Sequence, residues 1–285
     1  MARLLMRLAA RLPLSGLHAF GTLLGWTMYL LSPRYRKHLR GNLEAAGYAD
    51  AATRRTAIAQ AGRMIAELPA LWLRPHAEVV ALVREVRGWE QVEAARAAGL
   101  GIVFLTPHHG SFEMCAQYIT SRLPMTILYR PPKLAWIEPY VRAGRGRPNA
   151  TLATPDLGGV RRLLGALKRC GTVGMLPDQV PGEGEGDWAE FFGRPAYTMS
   201  LATKLAAREG TVCLMVFAER LPGGSGYGLS FRPLAAPLPD ENPARRLNRA
   251  LEVLIRERPE QYLWGYNRYK VPAGAPGPPA DRREK

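Results

Sequence analysis

At 285 residues, with 47% apolar residues and three cysteines, the chain can bury a substantial core; it is neither a disordered tail nor a disulfide-stapled miniprotein. Thirty-nine Lys and Arg against 24 Asp and Glu leave a charge of +15, which attracts phosphates, anionic lipid, acidic proteins or nucleic acid. Cys115, Cys170 and Cys213 lack metal-ligand spacing and read as reduced core thiols.

The N-terminal stretch is unusual. Residues 12–33 carry no formal charge, Arg3, Arg7 and Arg11 precede them, and Arg34, Arg36, Lys37 and Arg40 follow. The length suits a span of ~20 residues, but Pro13, Ser15, Gly16, His18 and Gly21 dilute its hydrophobicity. No small-residue cleavage site marks a signal peptide. Residues 1–44 are expected to form a membrane-anchoring helix with a basic flank, either spanning or lying among headgroups. The alternative is a buried core helix, which would leave seven flanking cations in need of partners. If the helix spans, the cations behind it favour a cytoplasmic body.

Residues 45–83 are alanine-rich at helical spacing, and Pro69 and Pro75 are expected to break the helix. Residues 86–89 read as an edge strand and 90–98 as a helix. The apolar run 101–106 is the first strong strand, followed by a helix over 112–123 and a strand over 125–129. Helices are expected over 134–144 and 158–169, then a strand over 172–176. A helix over 197–209 leads to a strand over 211–218, a glycine turn at 223–226, a strand over 228–231 and a helix over 242–258. The Pro/Gly-rich, then charged, tail 273–285 reads as disordered. This alternation implies an α/β fold over residues 45–272: a mixed, largely parallel sheet sandwiched by helices, with antiparallel character near one edge.

The most informative stretch is Phe104-Leu-Thr-Pro-His-His-Gly-Ser-Phe-Glu113. The strand stops at Pro107, two histidines follow, and Gly110 and Ser111 open the next helix. Carboxyl ends of strands are where α/β folds keep their ligand crevices. There, an imidazole with a carboxylate five residues on suits a base and its orienter: His108 takes a hydroxyl proton, and Glu113 either fixes the tautomer or serves only as a carboxylate at a helix start. No HExxH or Cys/His cluster completes a metal shell, so no metal or bound cofactor is called for. Ser111 lies outside any nucleophile elbow.

His108-His-Gly-Ser-Phe-Glu113 resembles the H-x4-D/E motif of the glycerolipid acyltransferase superfamily, and more closely the late acyltransferases of lipid A biosynthesis, the lauroyl- and myristoyl-transferring branch. Four more blocks follow in family order: Tyr129-Arg-Pro-Pro-Lys133, Leu176-Pro-Asp-Gln-Val180, Phe191-Phe-Gly-Arg-Pro-Ala196, and Gln261-Tyr-Leu-Trp264 with Arg268-Tyr-Lys270. The Arg40-Gly-Asn-Leu43 segment also fits, so the resemblance covers residues 5–272. Two positions depart from it. His109 stands where relatives often have an aliphatic residue, which leaves open which imidazole acts. Asn267 stands where many have histidine.

The resemblance implies acyl transfer from a thioester, on acyl carrier protein or coenzyme A, to a hydroxyl of a phosphorylated glycolipid. His108 is then the base and Glu113 its partner, at the cytoplasmic face of a bacterial inner membrane whose anionic surface suits the basic chain. Arg130, Lys133, Arg145, Arg147 and Arg194 are candidates for binding a phosphorylated acceptor. Asp178, beside Gln179, either supports the site and orients the acceptor or merely caps a turn. Phe191 and Phe192 border an acyl chain or simply pack in the core. Donors to the oxyanion are the N–H groups of Gly110 and Ser111 or a nearby arginine. A lysophospholipid or ornithine-lipid acceptor would use the same dyad; rival readings are a thioesterase and a non-catalytic basic membrane-binding protein. Nucleic acid is not expected, since no basic recognition helix or RNA-binding motif is present.

Overall fold

In a computed structural model, which describes residues 2–132 and 134–278, the N-terminal stretch forms three helices: α1 (Ala2–Arg11), α2 (Leu14–Leu31) and α3 (Pro33–Ala45). Pro13 separates the first two. Ser32 ends α2 and caps α3, its hydroxyl accepting from the Tyr35 N–H, with Pro33 in the first turn. Helix α4 (Ala51–Leu73) starts at the Asp50 cap and runs through Pro69 without stopping. The backbone bond that Pro69 cannot make would have gone to the carbonyl of Ile65, an exposed residue.

Helix α2 does not stand apart from the rest of the fold. It lies along α4 with Leu14, Leu17, His18, Gly21 and Gly25 buried. Glycines set the approach: a Cβ on Gly62 would sit 1.9 Å from the Gly21 carbonyl oxygen, and one on Gly25 2.1 Å from that of Ile58. The opposite face shows Phe20, Leu23, Leu30 and Leu31 to the outside. Burying only one face leaves Arg7, Arg11, Arg34, Lys37 and Arg40 exposed, so these five cations need no buried partners. Among the described residues, no helix is long and apolar enough to cross a membrane.

The short α5 (His76–Val80), β1 (Val83–Arg87) and α6 (Trp89–Ala97) lead to β2 (Gly101–Leu105), buried at every position. Then come α7 (Phe112–Thr120), β3 (Met125–Leu128), α8 (Glu138–Arg145), β4 (Ala150–Ala153), α9 (Leu157–Lys168) and β5 (Thr172–Met175). A hairpin, β6 (Gly186–Phe191) and β7 (Arg194–Met199), precedes α10 (Ser200–Ala206). The chain closes with β8 (Thr211–Arg220), β9 (Tyr227–Pro233) and α11 (Pro243–Glu257).

Seven strands form one sheet in the order β1-β9-β8-β2-β5-β3-β4. All neighbours are parallel except β8 and β9, so the antiparallel character does lie toward one edge. The two faces of β2 feed two cores. Val103 and Leu105 pack with residues of α9, α10 and α11, while Ile102 and Phe104 pack with α6 and α7. Several local expectations change. Residues 197–199 belong to β7, where Tyr197 pairs with Trp188, and the helix starts only at Ser200. The short β4 had no strong apolar pattern to announce it. Cys115 and Cys213 are buried, but Cys170 is exposed in the turn after α9.

Candidate active site

Strands β2 and β5 are adjacent and parallel, so the residues just beyond their carboxyl ends meet. Those residues are His108 and Asp178. The imidazole Nδ1–H donates to Asp178 Oδ1 at 2.8 Å, and the His108 backbone N–H donates to Oδ2 at 2.9 Å. The carbonyl of His108 accepts from the Leu263 N–H at 3.0 Å, and its ring leans on Phe112. With Nδ1 protonated, Nε2 carries the lone pair, and the Gln179 amide N–H reaches it at 3.2 Å. Burial pushes the Asp178 carboxyl up, but the adjacent His108, the two hydrogen bonds from it and Arg268 together hold it below the usual carboxylate range. Burial and then the Asp178 charge push the neighbouring Tyr262 phenol well above its ordinary value.

His109 is a different histidine. Fully buried, it stacks on Phe217 with ring centroids 4.0 Å apart, and its Nε2–H donates to the Arg258 carbonyl at 2.8 Å. Burial pushes it down to about 3, so it is neutral. His108, 16% exposed through its side chain, is the imidazole a substrate can reach.

The Nδ1 position expected for Glu113 is thus taken by Asp178. Glu113, buried in the first turn of α7, is gripped instead by Arg145 from the end of α8, through Nε to both carboxylate oxygens and through a terminal nitrogen to one. The physical reason is charge. A buried carboxylate is better satisfied by a guanidinium fork than by a neutral ring. The pairing also holds Arg145 above its ordinary value despite burial.

The expected backbone oxyanion donors are already engaged. Gly110 N–H donates to the Gln261 carbonyl at 3.0 Å, and Ser111 N–H to that of Ala218 at 2.8 Å. Gly110 has φ +58°, and a Cβ there would lie 2.1 Å from the Ala218 oxygen, so this turn admits only glycine.

The other expected residues scatter. Arg130 is exposed beyond β3. Lys133 lies outside the described residues. Arg147 is a clamp, donating to Gln117 and to the carbonyls of Leu71, Trp72 and Arg74. Arg194 sits at the hairpin with its guanidinium 3.9 Å over the Tyr269 ring. Phe191 and Phe192 are buried in the core. The closing block walls the site: besides the Gln261 and Leu263 bonds, Tyr266 accepts from the Val180 N–H, and Asn42 donates to the carbonyls of Trp264 and Tyr266.

Two buried residues went unnoticed in the sequence, Glu67 and Arg220. Arg220 donates through Nε and Nη2 to the two oxygens of Glu67, both at 2.8 Å, and Nη2 also donates to the Gly110 carbonyl at 3.0 Å. Their only signal was a lone acid in an apolar helix and a lone arginine ending an apolar strand.

A family model described as bacterial lipid A biosynthesis acyltransferase matches residues 2–271. The chain is 29% identical over 223 residues to the lipid A biosynthesis lauroyltransferase of Escherichia coli (strain K12), covering 75% of this chain and 71% of that one. It is 29% identical over 216 residues to the lipid A biosynthesis palmitoleoyltransferase of the same organism, covering 74% and 69%. A lipid A biosynthesis acyltransferase of Haemophilus influenzae is 28% identical over 190 residues, covering 63% and 57%.

Proposed function

The chain belongs to the bacterial lipid A biosynthesis acyltransferase family, and on that premise we propose that it moves a fatty acyl group from acyl carrier protein to a hydroxyl of a lipid A precursor, with His108 as general base. The observation that carries this reading is the His108 geometry: Nδ1–H tied to Asp178, Nε2 left as the lone pair at a strand end. Gln179 donates to that lone pair until the acceptor hydroxyl replaces it. Nε2 then takes the hydroxyl proton, the oxygen attacks the thioester carbonyl, and a tetrahedral oxyanion forms. Its collapse expels the thiolate, which recovers the proton from Nε2. Asp178 keeps the tautomer and stabilises the imidazolium.

Because the Gly110 and Ser111 N–H groups serve the fold, the oxyanion falls to an arginine, and Arg145, braced by Glu113 five residues from the base, is the one we assign. Glu113 thus serves the reaction through Arg145. The exposed Leu4, Leu5, Leu8, Phe20, Leu23, Leu30 and Leu31 of α1 and α2, among exposed arginines, support seating on the anionic cytoplasmic face of the inner membrane.

The test is a purified reaction with acyl carrier protein thioester or acyl-CoA and a phosphorylated glucosamine disaccharide lipid in mixed micelles, read by mass spectrometry. One added acyl chain, faster from the carrier protein and lost in His108→Ala, is the expected result. An acceptor of unchanged mass beside released fatty acid would move the assignment to hydrolysis.

A further inference from the structure

Beneath the catalytic turn lies a polar cluster that acid–base chemistry at His108 does not call for. Glu67 is 1% exposed and Arg220 3%. Around their fork, the Arg220 Nη1 donates to Gln60 Oε1 at 2.8 Å, the Tyr227 hydroxyl donates to Glu67 Oε2 at 3.1 Å, and His18 Nε2 lies 3.2 Å from that same oxygen. The backbone of Arg220 is tied as well. Its N–H donates to Gln261 Oε1 at 2.9 Å, and its carbonyl accepts from Gln261 Nε2 at 3.0 Å.

The desolvation of a buried ion pair can offset much of its attraction, and apolar residues of equal volume often hold a fold as well. What apolar residues cannot do is fix a carbonyl in one orientation. The Arg220 guanidinium holds the Gly110 carbonyl, while Gln261, locked to the Arg220 backbone, accepts the Gly110 N–H. Both polar ends of the residue two places after His108 are therefore set from this cluster. The cluster also reaches outward. His18 belongs to α2, whose far face carries the exposed Phe20 and Leu23.

We infer that Arg220 is a positioning residue for the acyl transfer, fixing the catalytic turn through Gly110, and that His18, by completing the Glu67 site, makes the seating of α2 on α4 a condition of that turn's geometry. The inference rests on the reading of His108 as base.

Three variants test it: Arg220→Lys, which keeps the charge but not the fork; Glu67→Gln; and His18→Leu. Each is measured for kcat and KM, thermal unfolding, and amide hydrogen exchange across residues 108–114. Folded Arg220→Lys should lose about 10²-fold in kcat at unchanged KM, the scale of a misplaced catalytic group. Exchange at Gly110 and Ser111 should quicken while β2 and β8 stay protected. His18→Leu should show the same pattern more weakly, and Glu67→Gln an intermediate one; these two carry the test should Arg220→Lys not fold. Wild-type kcat in folded Arg220→Lys, or activity that follows only the folded fraction across the variants, overturns the inference. So does a fall in kcat with exchange at residues 108–114 unchanged. An active His108→Ala would instead defeat the reading of the base, and the exchange pattern would still report on the turn.

Discussion

Asp178 holds His108 at two points, the ring Nδ1 and the backbone N–H, with both oxygens of one carboxylate. A ring bond alone would fix the tautomer; the second bond also fixes where the ring starts. Replacing the carboxylate by an amide of the same shape leaves one oxygen for two donors and turns an NH2 toward the other. Asp178→Asn should keep its fold and lose about 10²–10⁴ in kcat, the range seen when a base loses its orienter. Turnover near wild type in a folded Asp178→Asn would show that the imidazole needs no such support.

Glu113 and Arg145 form one unit, so their contributions should not add. Glu113→Gln removes the charge that braces the guanidinium, and Arg145→Gln removes the guanidinium itself. Either should lower kcat, and the double variant should be no worse than the poorer single one, with a coupling of about 0.5–3 kcal/mol in the activation free energy. A double variant whose losses multiply would separate the two roles.

These two carboxylates mark how far the sequence could be read. Strand β2 was plain because every residue of it is apolar, and a strand buried on both faces has that pattern. The histidines were conspicuous for where the strand stops. Asp178 was noticed beside Gln179, but its meeting with His108 depends on β5 lying next to β2, and strand order is not written locally. A carboxylate five residues away looked closer than one 70 residues away. The same holds for Glu67 and Arg220, 153 residues apart, each unremarkable within its own element. Pro69 misled for a local reason: its lost bond falls on the exposed side of α4, where breaking the helix is unnecessary.

His109 gives the acid stability a signature. In the fold it is neutral and pushed down to about 3, against an ordinary 6.5. Between those values the unfolded chain binds a proton that the native chain does not, so this contribution is complete above pH 6.5 and is lost as pH falls toward 3. Glu67 adds a second arm. Burial works against its carboxylate, yet Arg220 pulls it down to about 2 from 4.5, so its contribution is lost between those values. Urea midpoints should therefore decline in two stages. In His109→Phe, which also forfeits about 1 kcal/mol of hydrogen bonding to Arg258, the decline should begin only near pH 4.5. An unchanged onset in that variant would mean the ring is protonated without cost.

The seam between α2 and α4 makes the last prediction. A methyl on Gly62 would lie 1.9 Å from the Gly21 oxygen and 2.4 Å from the Gly25 nitrogen, both backbone atoms that cannot swing aside. Gly62→Ala must push the helices apart, costing about 1–3 kcal/mol or more. Gly41 is the control, an exposed glycine inside α3 with nothing within 4 Å of its missing Cβ. Gly41→Ala should be neutral or stabilising by about 0.4–1 kcal/mol, since only the unfolded chain loses freedom. Opposite signs in the two melting temperatures are expected; equal small effects would mean that α2 does not rest on α4 in solution, and that the buried face of Leu14, Leu17 and His18 is covered some other way.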